Sequence, residues 1–148
     1  MSLDIPQTVR VTYLFSATPE RVFDAWLDPS KASRWLFATS AGQNVRADID
    51  ARPGGRFTIV DRRDGEDVEH VGEYLEVDRP RRLVFRFAVP KYSDKTTRVT
   101  VEIVPRVTGC ELTLMHEGVP GEHIVRTESG WTTMLKGLDA FLNAHARG

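Results

Sequence analysis

At 148 residues the chain has the size of one domain, 1–148, and can bury roughly 70% of the surface its unfolded form exposes. Twenty Lys and Arg against 21 Asp and Glu leave a net charge of −1, which argues against a general nucleic-acid or membrane-surface binder, since either needs a basic excess. Hydrophobic residues at 41% and charged residues at 28% are ordinary for a soluble protein. No apolar run approaches the ~20 residues of a membrane span. The start, Met1-Ser-Leu-Asp-Ile-Pro6, lacks the basic region and apolar run of a signal peptide. A single cysteine, Cys110, excludes an intramolecular disulfide and fits a cytoplasmic location.

Residues 7–16 carry Val9, Val11, Tyr13 and Phe15 in alternation and predict a strand. Thr18-Pro19-Glu20 then opens a helix: a threonine cap, a proline at the position where its missing N–H costs nothing, and an acid near the helix start. Val22, Phe23, Trp26 and Leu27 form its buried stripe. Asp28-Pro29 breaks that helix and starts a second short one running towards Trp35, after which 36–44 reads as a loop. Residues 45–51 alternate weakly as a short strand. Pro53-Gly54-Gly55 turns the chain into a strand over 56–62, with Phe57 and Ile59 on one face.

Asp64-Gly65-Glu66-Asp67 is a hairpin signal. Strands follow over 68–77 and 81–89, around an Asp78-Arg79-Pro80 turn, and the second aligns Leu83, Phe85 and Phe87 on one face. Residues 90–95 form a polar loop. In 96–104, Val99, Val101 and Ile103 oppose Arg98, Thr100 and Glu102; Thr108-Gly109 then leads into 110–117, with Leu112 and Leu114 inward. Beyond Gly118 to Gly121, Ile124, Thr127, Trp131, Met134, Leu135, Leu138, Phe141 and Leu142 recur at helical spacing to about His145. Short turns between consecutive strands imply antiparallel pairing, and segregated helices make the class α+β.

Five segments stand in one order along nearly the whole chain: Thr18-Pro-Glu-Arg-Val-Phe-Asp-Ala-Trp-Leu-Asp-Pro29 with Trp35, Arg52-Pro-Gly-Gly-Arg-Phe57, Gly72-Glu-Tyr-Leu-Glu-Val-Asp-Arg-Pro-Arg-Arg-Leu-Val-Phe85, Gly109-Cys-Glu-Leu-Thr-Leu-Met-His-Glu-Gly118, and Gly130-Trp131. Together they resemble the Hsp90 ATPase activator homologue-like (AHSA1-type) group of the START-like (SRPBCC, Bet v 1-like) superfamily. The resemblance implies the helix-grip fold, a curved seven-stranded antiparallel sheet wrapped around a long C-terminal helix, with two short helices between strands one and two. Where many relatives resemble Leu-Val-Phe-Thr-Trp, this chain has Leu83-Val-Phe-Arg-Phe87, whose smaller final ring alters the cavity. Eukaryotic activators add an N-terminal chaperone-binding domain. This chain starts at the START-like strand, so an Hsp90-type chaperone is not the expected partner, while a homodimer is compatible with the family.

The fold places a cavity between sheet and final helix. Its candidate lining is Phe57, Ile59, Phe85, Phe87, Leu114, Trp131, Met134 and Leu135, with Trp35 and Phe37 at the rim and the 36–44 and 90–95 loops as gates. Each of these residues also suits plain core packing. Three polar residues join them: His70 and Tyr74 on one strand face, and His116 in alternation with Leu112 and Leu114. Facing inward, they would orient a ligand or exchange a proton; bonded to their neighbours, they would be structural. The reading that demands least of these residues is non-catalytic binding of a small hydrophobic or amphipathic ligand. The alternatives are a cavity enzyme, since relatives include cyclases and hydratases, using His70, Tyr74 or His116, and a chaperone- or stress-linked interaction module.

Other chemistries lack their residues. The four histidines (70, 116, 123 and 145) lie far apart and Cys110 has no partner cysteine, so neither a metal nor a cofactor is expected. No Gly-x-Ser-x-Gly occurs, and Ser129-Gly130 lacks a strand-to-helix elbow. Pro53-Gly54-Gly55 is followed by no phosphate-loop lysine.

Overall fold

The computed structural model of the chain describes residues 6–37, 43–63, 65–92 and 95–144. Its elements are β1 (Pro6–Phe15), α1 (Pro19–Leu27), α2 (Pro29–Ala32), β2 (Gln43–Ile49), β3 (Arg56–Arg63), β4 (Glu66–Asp78), β5 (Arg82–Ala88), β6 (Thr97–Arg106), β7 (Gly109–Pro120) and α3 (Ile124–Ala144). A 3-10 turn, Gly121–His123, leads into α3. Among the described residues no helix is long and apolar enough to cross a membrane.

All seven strands form one curved antiparallel sheet in the order β1-β7-β6-β5-β4-β3-β2. From β2 to β7 the chain is a meander, each strand pairing with the next. β1 joins the far side of β7, so β1 and β2 lie at opposite edges and α1–α2 crosses between them. This is the expected α+β helix-grip arrangement, with α3 packed along β1 and β7.

Local chemistry explains the two short helices. The Thr18 hydroxyl accepts the Arg21 N–H at 3.2 Å and satisfies one of the donors a helix start leaves open. Asp28 serves both helices: its N–H donates to the Asp24 carbonyl, closing α1, and its carboxylate accepts the Ser30 N–H at 2.9 Å, opening α2. Pro29 disfavours helical backbone at Asp28, which is extended (φ −82, ψ 118), so one continuous helix cannot form. The second helix is shorter than its sequence suggests. Residues 33–37 wind in tight turns that bury Trp35, Leu36 and Phe37 consecutively.

Strand alternation builds the core. Val9, Val11 and Phe15, then Phe57 and Ile59, Leu83, Phe85 and Phe87, Val99, Val101 and Ile103, and Leu112 and Leu114 are all buried on the face that meets Trp131, Leu135, Leu138 and Leu142 of α3. Each such side chain contributes roughly 1.5–3 kcal/mol by leaving water. Thr100 departs from the pattern: alternation puts it on the polar face, yet it is buried between its ladder partners Val84 and Met115. Gly72 sits between Phe57 and Phe87 in the ladder. A Cβ there would lie 2.3 Å from the Arg86 carbonyl oxygen and 2.4 Å from the Phe57 ring, so only glycine lets that ring approach the strand so closely. Polar ties hold α3 in place. Tyr13 donates to Asp139 at 2.8 Å, and the Arg21 guanidinium donates to the Leu142 carbonyl at 2.8 Å.

Candidate ligand site between sheet and helix

The structure gathers the thirteen candidate residues on the inner side of the sheet. Trp35, Phe37, Phe57, Ile59, His70, Tyr74, Phe85, Phe87, Leu114, His116, Trp131 and Leu135 are buried, and Met134 is partly buried against the same core. Their rings touch in a continuous network. Phe57 meets Tyr74 (5.4 Å) and Phe85 (5.5 Å), and Phe85 meets Phe87 (6.0 Å) and Trp26 (6.3 Å). Trp35 and Phe37 lie inside this network rather than on an open rim, at 2% and 4% exposure.

Phe37 occupies its centre. Its ring stacks on His70 (4.4 Å, 6° between planes) and lies 5.1 Å from Phe87, 5.8 Å from Trp131 and 6.2 Å from Phe57. Its N–H donates to the Met134 sulfur at 3.1 Å. The backbone that delivers this ring is left-handed, φ 58, where an L-residue's Cβ crowds the carbonyl. A buried phenylalanine held in that conformation marks a place where surrounding contacts override local preference.

His116 belongs to a hydrogen-bonded relay. Trp131 Nε1 donates to His116 Nδ1 at 3.0 Å, and an indole N–H can only donate. The proton therefore sits on His116 Nε2, which donates to Thr97 Oγ1 at 2.7 Å; that hydroxyl donates to the Phe87 carbonyl at 3.5 Å. Burial pushes the His116 pKa down to about 4, because an imidazolium there would lose its hydration. Protonation would also set Nδ1–H against the indole N–H. His70 Nδ1 lies 3.3 Å from the Ile59 carbonyl. Burial, aided by the negative charge of Asp50, raises the Tyr74 pKa and keeps the phenol protonated.

Thr97 and Trp26 complete the site although neither figured among the sequence candidates for it. Thr97 shares the inward alternation of Val99 and Val101, which was the available signal. Trp26 was legible only as part of a helix stripe. Of the two gating loops, 38–42 and 93–94 lie outside the described residues, as do Asp64 of the hairpin and His145. Leu36 is buried, and its carbonyl accepts from the Asn44 side-chain amide at 2.8 Å. Burial pushes the Cys110 thiol up to about 11, which suits an inert core residue. Among the described residues no group of three or more His, Cys, Asp or Glu is placed to hold a metal ion.

A concavity of about 480 Å³ lies beside β3, β4 and β5. Arg56, Phe57, Thr58, Val71, Gly72, Glu73, Arg86, Phe87, Ala88 and Thr96 line it. Arg86 and Glu73 approach to 3.6 Å there, both well exposed. The charged Arg56, Glu73 and Arg86 share it with Phe57 and Phe87 of the aromatic network.

Known structures share this architecture. Protein CV1439 from Chromobacterium violaceum is 27% identical over 90% of this chain and 95% of its own, with a TM-score of 0.84. SA2116 from Staphylococcus aureus, described as a protein of unknown function, aligns with a TM-score of 0.86 at 18% identity over 97% and 98%. The AHSA1-like protein from Aeromonas hydrophila gives 0.83 at 21% identity over 95% and 94%. Among curated proteins, no sequence matches. The family model described as "Activator of Hsp90 ATPase homolog 1-like protein" matches residues 16–143, from the end of β1 to the last turn of α3. The chain belongs to that AHSA1 family.

Proposed function

We propose that this domain binds a small, largely apolar, ring-bearing ligand between the sheet and α3, in the space that the Phe37 ring fills. The observation behind this reading is Phe37 itself: an aromatic side chain on a left-handed backbone, clamped between His70, Phe87 and Trp131. A ring supplied by a turn rather than by a strand or by α3 can be exchanged for a ligand's ring without breaking the sheet ladder. Family membership and fold are compatible with ligand binding. The side chains around Phe37 are apolar and aromatic with few polar groups, the composition small-molecule pockets favour, which supports the reading.

Binding without turnover fits the polar residues better than catalysis does. His116 has both ring nitrogens engaged and stays neutral at pH 7, and Tyr74 keeps its proton, so neither is poised to exchange one. The test is a screen of small aromatics and fatty acids by native mass spectrometry, followed by NMR on each hit. Hits should move the Phe37 and Trp131 resonances. No hit, or hits that leave the Phe37 and Trp131 resonances unmoved, would overturn the proposal.

A further inference from the structure

Three tryptophans stand in the interior, each no more than 2% exposed. Two of their indole N–H groups are used: Trp35 Nε1 donates to the Ala25 carbonyl and Trp131 Nε1 to His116, both at 3.0 Å. The third, Trp26 Nε1, is buried and has no hydrogen-bond partner among the described residues. A buried donor left unmade forfeits its hydration for nothing, and such groups are rare enough in folded proteins that each calls for a cause. Trp26 is held firmly. Its ring stands edge-to-face against Trp35 (4.7 Å, 85°), which is pinned to the carbonyl of Ala25, the residue before Trp26. It also lies 6.0 Å from Trp131, the same ring that bounds Phe37.

Resting on the binding role proposed above, we infer that Trp26 Nε1 is the donor that recognises the ligand, and that the ligand carries a neutral acceptor: a ketone, aldehyde, ester or ether oxygen on a ring-bearing apolar body. The chemistry of the surrounding side chains selects this class. An indole N–H cannot accept, so a ligand offering only donors leaves it unpaired. A carboxylate or phosphate needs a counter-charge when taken out of water, and no Lys or Arg is among the buried described residues. A pure hydrocarbon fits the walls but leaves the indole unsatisfied.

Acetophenone and ethylbenzene test this, because they share a ring and nearly a shape and differ by one carbonyl oxygen. On protein with 15N-labelled indoles, acetophenone shifts the Trp26 Nε1–H resonance downfield and ethylbenzene does not. Trp26→Phe keeps a ring but removes the N–H. It weakens acetophenone about three- to tenfold and leaves ethylbenzene within about twofold. If both probes bind, the Trp26 resonance stays still and Trp26→Phe affects them equally, this inference fails while the binding role stands. If neither probe binds, this inference fails, and the wider screen above decides the binding role. A Trp26 indole proton that exchanges magnetisation with a long-lived water before any probe is added assigns the donor to that water and overturns the inference. The wild-type NMR measurements decide the matter even if Trp26→Phe does not fold.

Discussion

Replacing Phe37 with glycine and, separately, with alanine separates its two contributions. Both changes remove a ring that is 4% exposed, which costs about 3–5 kcal/mol for a phenylalanine in a packed core. Only glycine relieves the left-handed backbone, worth about 1–2 kcal/mol for an L-residue. Glycine's greater freedom in the unfolded chain takes back roughly 0.5–1 kcal/mol. Phe37→Gly should therefore be more stable than Phe37→Ala by about 0.5–1 kcal/mol, the reverse of the order seen within helices and strands. Urea unfolding at constant m-value measures the difference as a shift in midpoint. Toluene supplies a second measurement. In Phe37→Gly the ring's place is open, so toluene at about ten times its Kd adds about 1.4 kcal/mol. Wild type must first expel its own ring and should gain much less. An alanine variant as stable as the glycine one would refute the strain argument. Equal stabilisation of wild type and Phe37→Gly by toluene would refute the claim that Phe37 holds the ligand's place.

Gly72→Ala should lose about 1–3 kcal/mol, roughly 3–10 °C in Tm, because its Cβ meets the Arg86 carbonyl and the Phe57 ring; an unchanged Tm in calorimetry contradicts the close approach. His116 is held below its ordinary pKa, so the unfolded chain binds its proton first. The stability it contributes is complete above about pH 6.5 and is lost as pH falls towards about 4, by about 3 kcal/mol. His116→Gln should flatten that part of the stability–pH curve, and parallel curves for the two proteins sink the assignment. Cys110, buried with its thiol pKa raised to about 11, should react with an aromatic disulfide reagent only as the protein unfolds; rapid labelling of the native state speaks against its burial.

The sheet was readable because its signals are local. Leu83, Phe85 and Phe87 alternate within one strand, Thr18-Pro19 and Asp28-Pro29 start helices by their own backbone chemistry, and Trp131, Leu135, Leu138 and Leu142 repeat at the helical period. The site was only half readable for the same reason. That His70, Tyr74 and His116 face inward follows from strand parity. That His116 is bonded to Trp131 and Thr97 depends on three elements meeting, and no one of these residues announces it. Phe37 was harder still. Periodicity says nothing about a turn, and its left-handed backbone is imposed by packing against residues from β3, β4, β5 and α3. Trp26 shows a further limit: its sequence position marks it as buried, but whether its N–H finds an acceptor is a property of the assembled interior.

Placing the first strand beside the last has a consequence for synthesis on the ribosome. Residues 6–15 emerge before anything else in the sheet, yet their ladder partners lie between Cys110 and Pro120, in the last strand to be made. The meander from β2 to β7 can zip as each hairpin appears, whereas β1 must wait with Val9, Val11 and Phe15 uncovered until β7 has been made. Nascent chains stalled before Cys110 should then exchange the amide hydrogens of β1 freely while those of the β3–β4 hairpin are already protected. Early protection of β1 in such chains would mean that it finds shelter elsewhere.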